Sequence, residues 1–146
     1  MKKNLGFTLI ELVVVMAIVS VLTGLATFNF QQARQRARDV QRKNDLKQLA
    51  NALEVYKNDQ NPQAYPAALT DLIPRGFIKA IPQDPRYKSD NSAWVDYVYT
   101  RDPSVSGNNL DYEITTCLEN KGDPEKVTPV VTCSSVAGVI MKVTTP

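Results

Sequence analysis

The sequence predicts an α+β protein in which a long N-terminal helix packs on a small antiparallel β-sheet head. Three observations carry this reading. Residues 7–30 are apolar, with Glu11 as the only charge. Residues 31–60 contain neither Gly nor Pro. All nine prolines lie at or after Pro62, where short alternating segments take over.

Composition narrows the function before any motif is read. The chain has 146 residues, which suits one compact domain with an appendage. A formal charge of +2 is too small for a nucleic-acid footprint. The absence of His removes Ser-His-Asp and Cys-His nucleophile systems, His-ligated zinc and the usual general base. Neither common phosphate-cradling glycine motif occurs. No catalytic constellation is evident, so an enzyme is not expected.

At about 1.5 Å per residue, a helix over residues 7–30 spans about 36 Å, enough for a hydrocarbon core of about 30 Å. A buried soluble helix is disfavoured, because the remaining chain is too short to enclose a helix apolar on all sides. A secretory signal is the other alternative. Lys2 and Lys3 give a positive start, and Gly24-Leu25-Ala26 offers small residues at a cut. Glu11 argues against it, since an unpaired acid within the apolar run is costly and serves no signal.

Leu5-Gly6-Phe7-Thr8-Leu9-Ile10-Glu11-Leu12 resembles the processing motif of type IV prepilins and pseudopilins. The resemblance covers roughly residues 2–26 and rests on the order Gly, Phe, three residues, Glu. It implies cleavage by a prepilin peptidase between Gly6 and Phe7, followed by methylation of the new amine on Phe7. The apolar helix then stays on the mature protein. In such filaments the acid at the Glu11 position is thought to meet the N-terminal amine of a neighbouring subunit, setting axial register. The plainer role of Glu11 is to sit at the positive end of its own helix. Many type IV pilins carry a Pro in the apolar half, whereas here only Gly24 softens it.

Leu46, Leu49, Ala50, Leu53 and Tyr56 recur at helical spacing and form one stripe. Ala33, Ala37 and Val40 extend it upstream, and Arg42, Lys43, Lys47, Glu54 and Lys57 fall on the polar face. One helix is expected from about Phe7 to about Asn58, ended by Asn58-Asp59-Gln60-Asn61-Pro62. The basic cluster Arg34, Arg36, Arg38, Arg42 and Lys43 reads as a solvated or headgroup-facing surface. Pairing with acids of neighbouring subunits is another use for it. Counted as flanking charge, the cluster would hold the C-terminal side inside. The prepilin motif, the cysteine pair and the ability of long domains to translocate regardless place the head outside.

In the head, residues 65–74 suggest a short helix with Leu69, Leu72 and Ile73 inward, and Ile81-Pro82-Gln83-Asp84-Pro85 a turn. This run is similar to the region after the long helix in major pseudopilins and several pilin branches. Residues 94–101 alternate as a strand with Val95, Tyr97 and Tyr99 on one face. Residues 110–119 alternate clearly, with Leu110, Tyr112, Ile114, Thr116 and Leu118 together. Residues 127–133 and 136–144 supply two more strands, for a sheet of three or four.

Cys117 and Cys133 are expected to form a disulfide if the head is exported, and to remain buried thiols if it is not. Pilins often carry such a C-terminal loop, secretion pseudopilins less often. Asp102, Ser104, Ser106, Gly107, Asn108 and Glu113 match the ligand spacing of an EF-hand-like Ca²⁺ loop, and some pseudopilins hold calcium in their heads. With only two carboxylates and Pro103 inside, the plain hairpin loop is preferred and no cofactor is expected.

The expected organisation is a leader (1–6), a transmembrane and filament-core helix (7–30), its amphipathic continuation (31–60) and a head (61–146). The resemblance implies a structural subunit of a type IV pilus, or of a secretion or competence pseudopilus. Its partners would be copies of itself or other pilins, prepilin peptidase, an assembly platform with its ATPase, and inner-membrane lipid before assembly. A nucleic-acid partner is not expected. A membrane-anchored exported binding or enzymatic domain is the alternative of another class. Loss of Lys2 and Lys3 with the leader leaves 15 basic and 15 acidic side chains. Such a chain stacks on copies of itself without net repulsion.

Overall fold

The computed structural model describes residues 6–90, 94–103, 107, 109–127, 133 and 138–145, except the side chains of helical residues 26–29 and 88–90. The chain forms two compact units, Met1–Gln35 and Arg36–Pro146. Helix α1, Leu9–Asp59, begins in the first and continues into the second.

In the first unit the described apolar side chains from Phe7 to Phe30 are exposed, from 49% at Val14 to 90% at Phe7. Two hydroxyls in this stretch are satisfied within the helix. Ser20 Oγ donates to the Met16 carbonyl at 2.7 Å and Thr23 Oγ1 to that of Val19 at 2.8 Å. Such back-bonding lets a polar side chain sit in an apolar helix without an open donor.

In the second unit Leu46, Leu49 and Leu53 are fully buried, as their spacing predicts. Each contributes about 1.5–3 kcal/mol by leaving water. They pack against Tyr65, Leu72, Ile78, Tyr112, Ile114, Leu118, Val139 and Met141. The upstream extension of the stripe differs from expectation: Val40 is 57% exposed and Ala37 is exposed, while Asp39 and Arg42 are buried. A step of three or four residues back from Leu46 reaches Arg42 and then Asp39, so the stripe continues through charges.

Between Pro66 and Pro74 the chain makes only a 3₁₀ turn, Leu69–Leu72. Asp71 Oδ2 accepts the Ala68 N–H there at 3.2 Å. Leu72 is buried but Ile73 is 41% exposed, against expectation. The predicted turn at Asp84-Pro85 instead starts helix α2, Pro85–Asp90. Asp84 is its N-cap, its Oδ1 accepting the N–H groups of Arg86 at 2.8 Å and Tyr87 at 3.3 Å. Pro85 takes the first helical position, where no N–H is required.

Strands β1, Val98–Arg101, β2, Tyr112–Leu118, and β3, Val139–Thr144, form an antiparallel sheet in the order β1-β2-β3. Tyr112, Ile114, Thr116 and Leu118 are buried on β2, as the alternation predicts, and Leu110 lies outside the strand. Strand β1 is shorter than predicted. Residues 94–97 leave the ladder, and Trp94 and Val95 pack with Cys117, Cys133 and Ile140. Tyr97 and Tyr99 do lean on the main core. Most of the expected strand at 127–133 lies outside the described residues. At its start Lys126 bridges Met141 and the Val127 N–H donates to the Ile140 carbonyl at 2.9 Å.

Cys117 and Cys133 are joined by a disulfide. Gly138 lies beside it, where a Cβ would come within 2.7 Å of the Leu118 carbonyl oxygen. A closed loop of this size stabilises by about 3 kcal/mol. Cys117→Ser with Cys133→Ser is therefore expected to lower unfolding free energy by about that amount, read in urea titrations of the detergent-solubilised chain.

Candidate functional site

Helix α1 starts with a capping box. Thr8 precedes the first helical residue, and its N–H and Oγ1 both donate to Glu11 Oε2, at 2.8 and 2.6 Å. The Glu11 N–H returns a bond to Thr8 Oγ1 at 3.4 Å. The sequence Thr-Leu-Ile-Glu is the S/T-x-x-E pattern for which such reciprocal capping is known. Within one chain, the Glu11 carboxylate is thus held at the positive end of its own helix. Gly6 and Phe7 precede it, and Phe7 projects into open space. Sequence reasoning singled out Glu11 but missed Thr8, although the pattern stood in the same eight residues.

The second constellation is an ionic clasp in the head. Arg42 has no exposed surface. Its Nε donates to Asp84 Oδ2 at 2.6 Å, and its Nη1 to Asp39 Oδ1 at 2.7 Å and Glu119 Oε1 at 3.0 Å. Arg38 makes a two-bond pair with Glu119, at 2.6 Å on each oxygen. Asp39 also accepts the backbone N–H groups of Glu119 at 3.0 Å and Asn120 at 2.9 Å. Lys43 Nζ donates to Asp123 Oδ1 at 2.8 Å. Three cations and one acid within about one and a half helix turns therefore tie down the segment leaving β2 and the cap of α2. The Trp94 ring lies against this clasp, its centroid 4.9 Å from the Arg42 guanidinium carbon and 4.4 Å from that of Arg86.

This corrects the reading of the basic cluster as a solvated face. Arg38, Arg42 and Lys43 are spent inside their own subunit, and Asp84, Glu119 and Asp123 are not scattered surface acids. Arg34 and Arg36 remain exposed. The overlooked signal was spacing: Asp39 and Arg42 fall on the Leu46-Leu49-Leu53 stripe, where a charge has to find a partner.

Burial pushes the Glu119 carboxyl up, but the bonds from Arg38 and Arg42 outweigh it and hold it below the usual range. Asp123 follows the same balance, with Lys43 and the Glu125 N–H lowering it. Burial would lower Arg42, yet Asp84, Glu119 and Asp39 raise it above its ordinary value. A carboxylate held low contributes stability above its unfolded pKa and loses it as pH falls through the folded value. Unfolding free energy should therefore change little between pH 7 and about 5. It should fall once pH drops below the ordinary carboxylate range near 4.5 and 3.8. Urea midpoints across that range check this.

Of the calcium candidates, Ser104, Ser106 and Asn108 lie outside the described residues. Asp102 and Gly107 both take positive φ, and Asp102 Oδ2 accepts the Gly107 N–H at 2.6 Å. Glu113 on β2 pairs with Lys142 of β3 at 2.7 Å. Among the described residues no group of three or more His, Cys, Asp or Glu is placed to hold a metal.

Helix α1 is long and apolar enough to cross a membrane, by length and composition. Residues 1–27 match the family described as the prokaryotic N-terminal methylation motif. The type II secretion system core protein G of Vibrio cholerae is 33% identical over 98 residues, which cover 58% of this chain and 67% of that protein. The protein of the same name from Aeromonas hydrophila is 34% identical over 100 residues, covering 58% and 68%. That of Escherichia coli is 30% identical over 97 residues, covering 57% and 67%. No solved structure matches the chain significantly.

Proposed function

We propose, because the chain belongs to the family of type II secretion system core protein G, that it is a pseudopilin. In this reading it is a non-enzymatic subunit stored in the inner membrane and stacked into a periplasmic filament that serves secretion. Prepilin peptidase cuts between Gly6 and Phe7, and the new Phe7 amine is methylated. The apolar helix remains on the mature protein. It first occupies lipid and then the filament axis, so its exposed side chains exchange one apolar surrounding for another.

The observation that carries the reading is the methylation motif placed on a helix with outward apolar side chains. The Thr8 capping box supports it further. It keeps the Glu11 charge satisfied in the isolated subunit while Oε1 remains for a neighbour's amine. Copies of this chain or related subunits are the partners, moved by an assembly platform and its ATPase.

A type IV pilus subunit is the second reading, favoured by the disulfide across the C-terminal segment. Deleting the gene separates the two. The pseudopilin reading expects exported enzymes to accumulate in the periplasm while surface pili persist. Loss of pili with normal secretion reverses the choice.

A further inference from the structure

The acids of the clasp each have a cation: Asp39, Asp84 and Glu119 have Arg42, and Asp123 has Lys43. Asp45, one turn beyond Arg42, has none among the described residues. Its Oδ2 accepts the Tyr97 hydroxyl at 2.7 Å. It lines an open groove of about 670 Å³ with Gln41, Ile81, Pro82, Gln83 and Pro85. Among the described residues, Asp45 is the only charged one in that lining. Burial, with the nearby Asp84 carboxylate, raises its carboxyl above the ordinary value in spite of the Tyr97 bond. On the same helix Arg36 is exposed and makes no ion pair among the described residues.

We propose that the groove at Asp45 receives Arg36 of a second copy of this chain, forming a lateral, head-to-tail contact. Helix geometry selects this pair. Arg36 and Asp45 are nine positions apart, which is about two and a half turns and about 13 Å of rise. They therefore point to opposite sides of α1. Opposite sides are required when the same contact repeats from copy to copy by translation, because each subunit must present donor and acceptor away from each other. A parallel neighbour displaced toward the C-terminal end of the first helix brings its Arg36 level with Asp45.

In the groove the incoming guanidinium meets Asp45 Oδ1 directly, the Tyr97 bond occupying Oδ2. Gln41 and Gln83 line the same groove, and their side-chain amides offer acceptors for the remaining N–H groups. Ile81, Pro82 and Pro85 provide an apolar wall for the arginine stem. The contact deepens the filament reading and rests on it.

The test is a charge swap in full-length protein, expressed with its own assembly machinery and read as filament sheared from spheroplasts. Arg36→Glu and Asp45→Lys are each expected to lower filament yield about tenfold or more, and the double variant to restore it to within about threefold of wild type. Arg36→Gln and Asp45→Asn, which keep the Tyr97 bond and the clasp, should lower yield by less, with an unchanged thermal midpoint. Single reversals within about twofold of wild type, or a double variant no better than the singles, overturn the pairing while wild-type filaments leave the family reading intact. Wild-type protein that folds and never yields filament overturns both.

Discussion

Arg42→Met is expected to lower the unfolding free energy of the chain by about 3–5 kcal/mol, the loss typical when one partner of a buried ion pair is removed. The side chain fits the space, so the cost is electrostatic. Asp84, Asp39 and Glu119 remain buried or nearly so, and each loses a donor. Arg38 still holds Glu119, which caps the damage. Asp84→Asn added to Arg42→Met should recover part of the loss, because one stranded charge becomes neutral. Urea titration of the detergent-solubilised variants measures both. A loss below about 1 kcal/mol for Arg42→Met would show that water reaches the clasp and screens it.

Glu11→Val is expected to leave cleavage and membrane insertion intact and to abolish filament formation. Valine suits the apolar run, so the subunit stays soluble in lipid, yet it offers nothing to an incoming amine. The substitution also removes two bonds of the Thr8 capping box. Thr8→Val separates these effects. It loses the side-chain cap and keeps the carboxylate, so it should assemble better than Glu11→Val. Sheared-filament yield beside the amount of processed subunit reports the outcome. Normal filaments from Glu11→Val would sink the intersubunit pairing.

What the sequence disclosed depended on whether a residue's role was local. Leu46, Leu49 and Leu53 show their burial through helical period, and the β2 residues through period two. Glu11 stands out because a charge in an apolar run needs a reason. The clasp was hidden because its partners lie far apart in the chain, Arg38 and Glu119 being 81 positions apart. Nothing in residues 36–43 alone says which charges are spent on the head and which stay free. The apolar continuation through Ala37 and Val40 was misleading, since small and β-branched residues tolerate exposure while Arg42 follows its carboxylates inward. Helix α2 was read as a turn because six residues give too little periodicity. Its capping acid, Asp84, was visible but also serves Arg42, and that second duty appears only in three dimensions.

The mass of the N-terminal peptide of protein purified from native membranes tests the central claim most directly. The account predicts a chain that begins at Phe7 and carries one added methyl group on its amine. A chain beginning at Met1, or cut near Ala26, would contradict it.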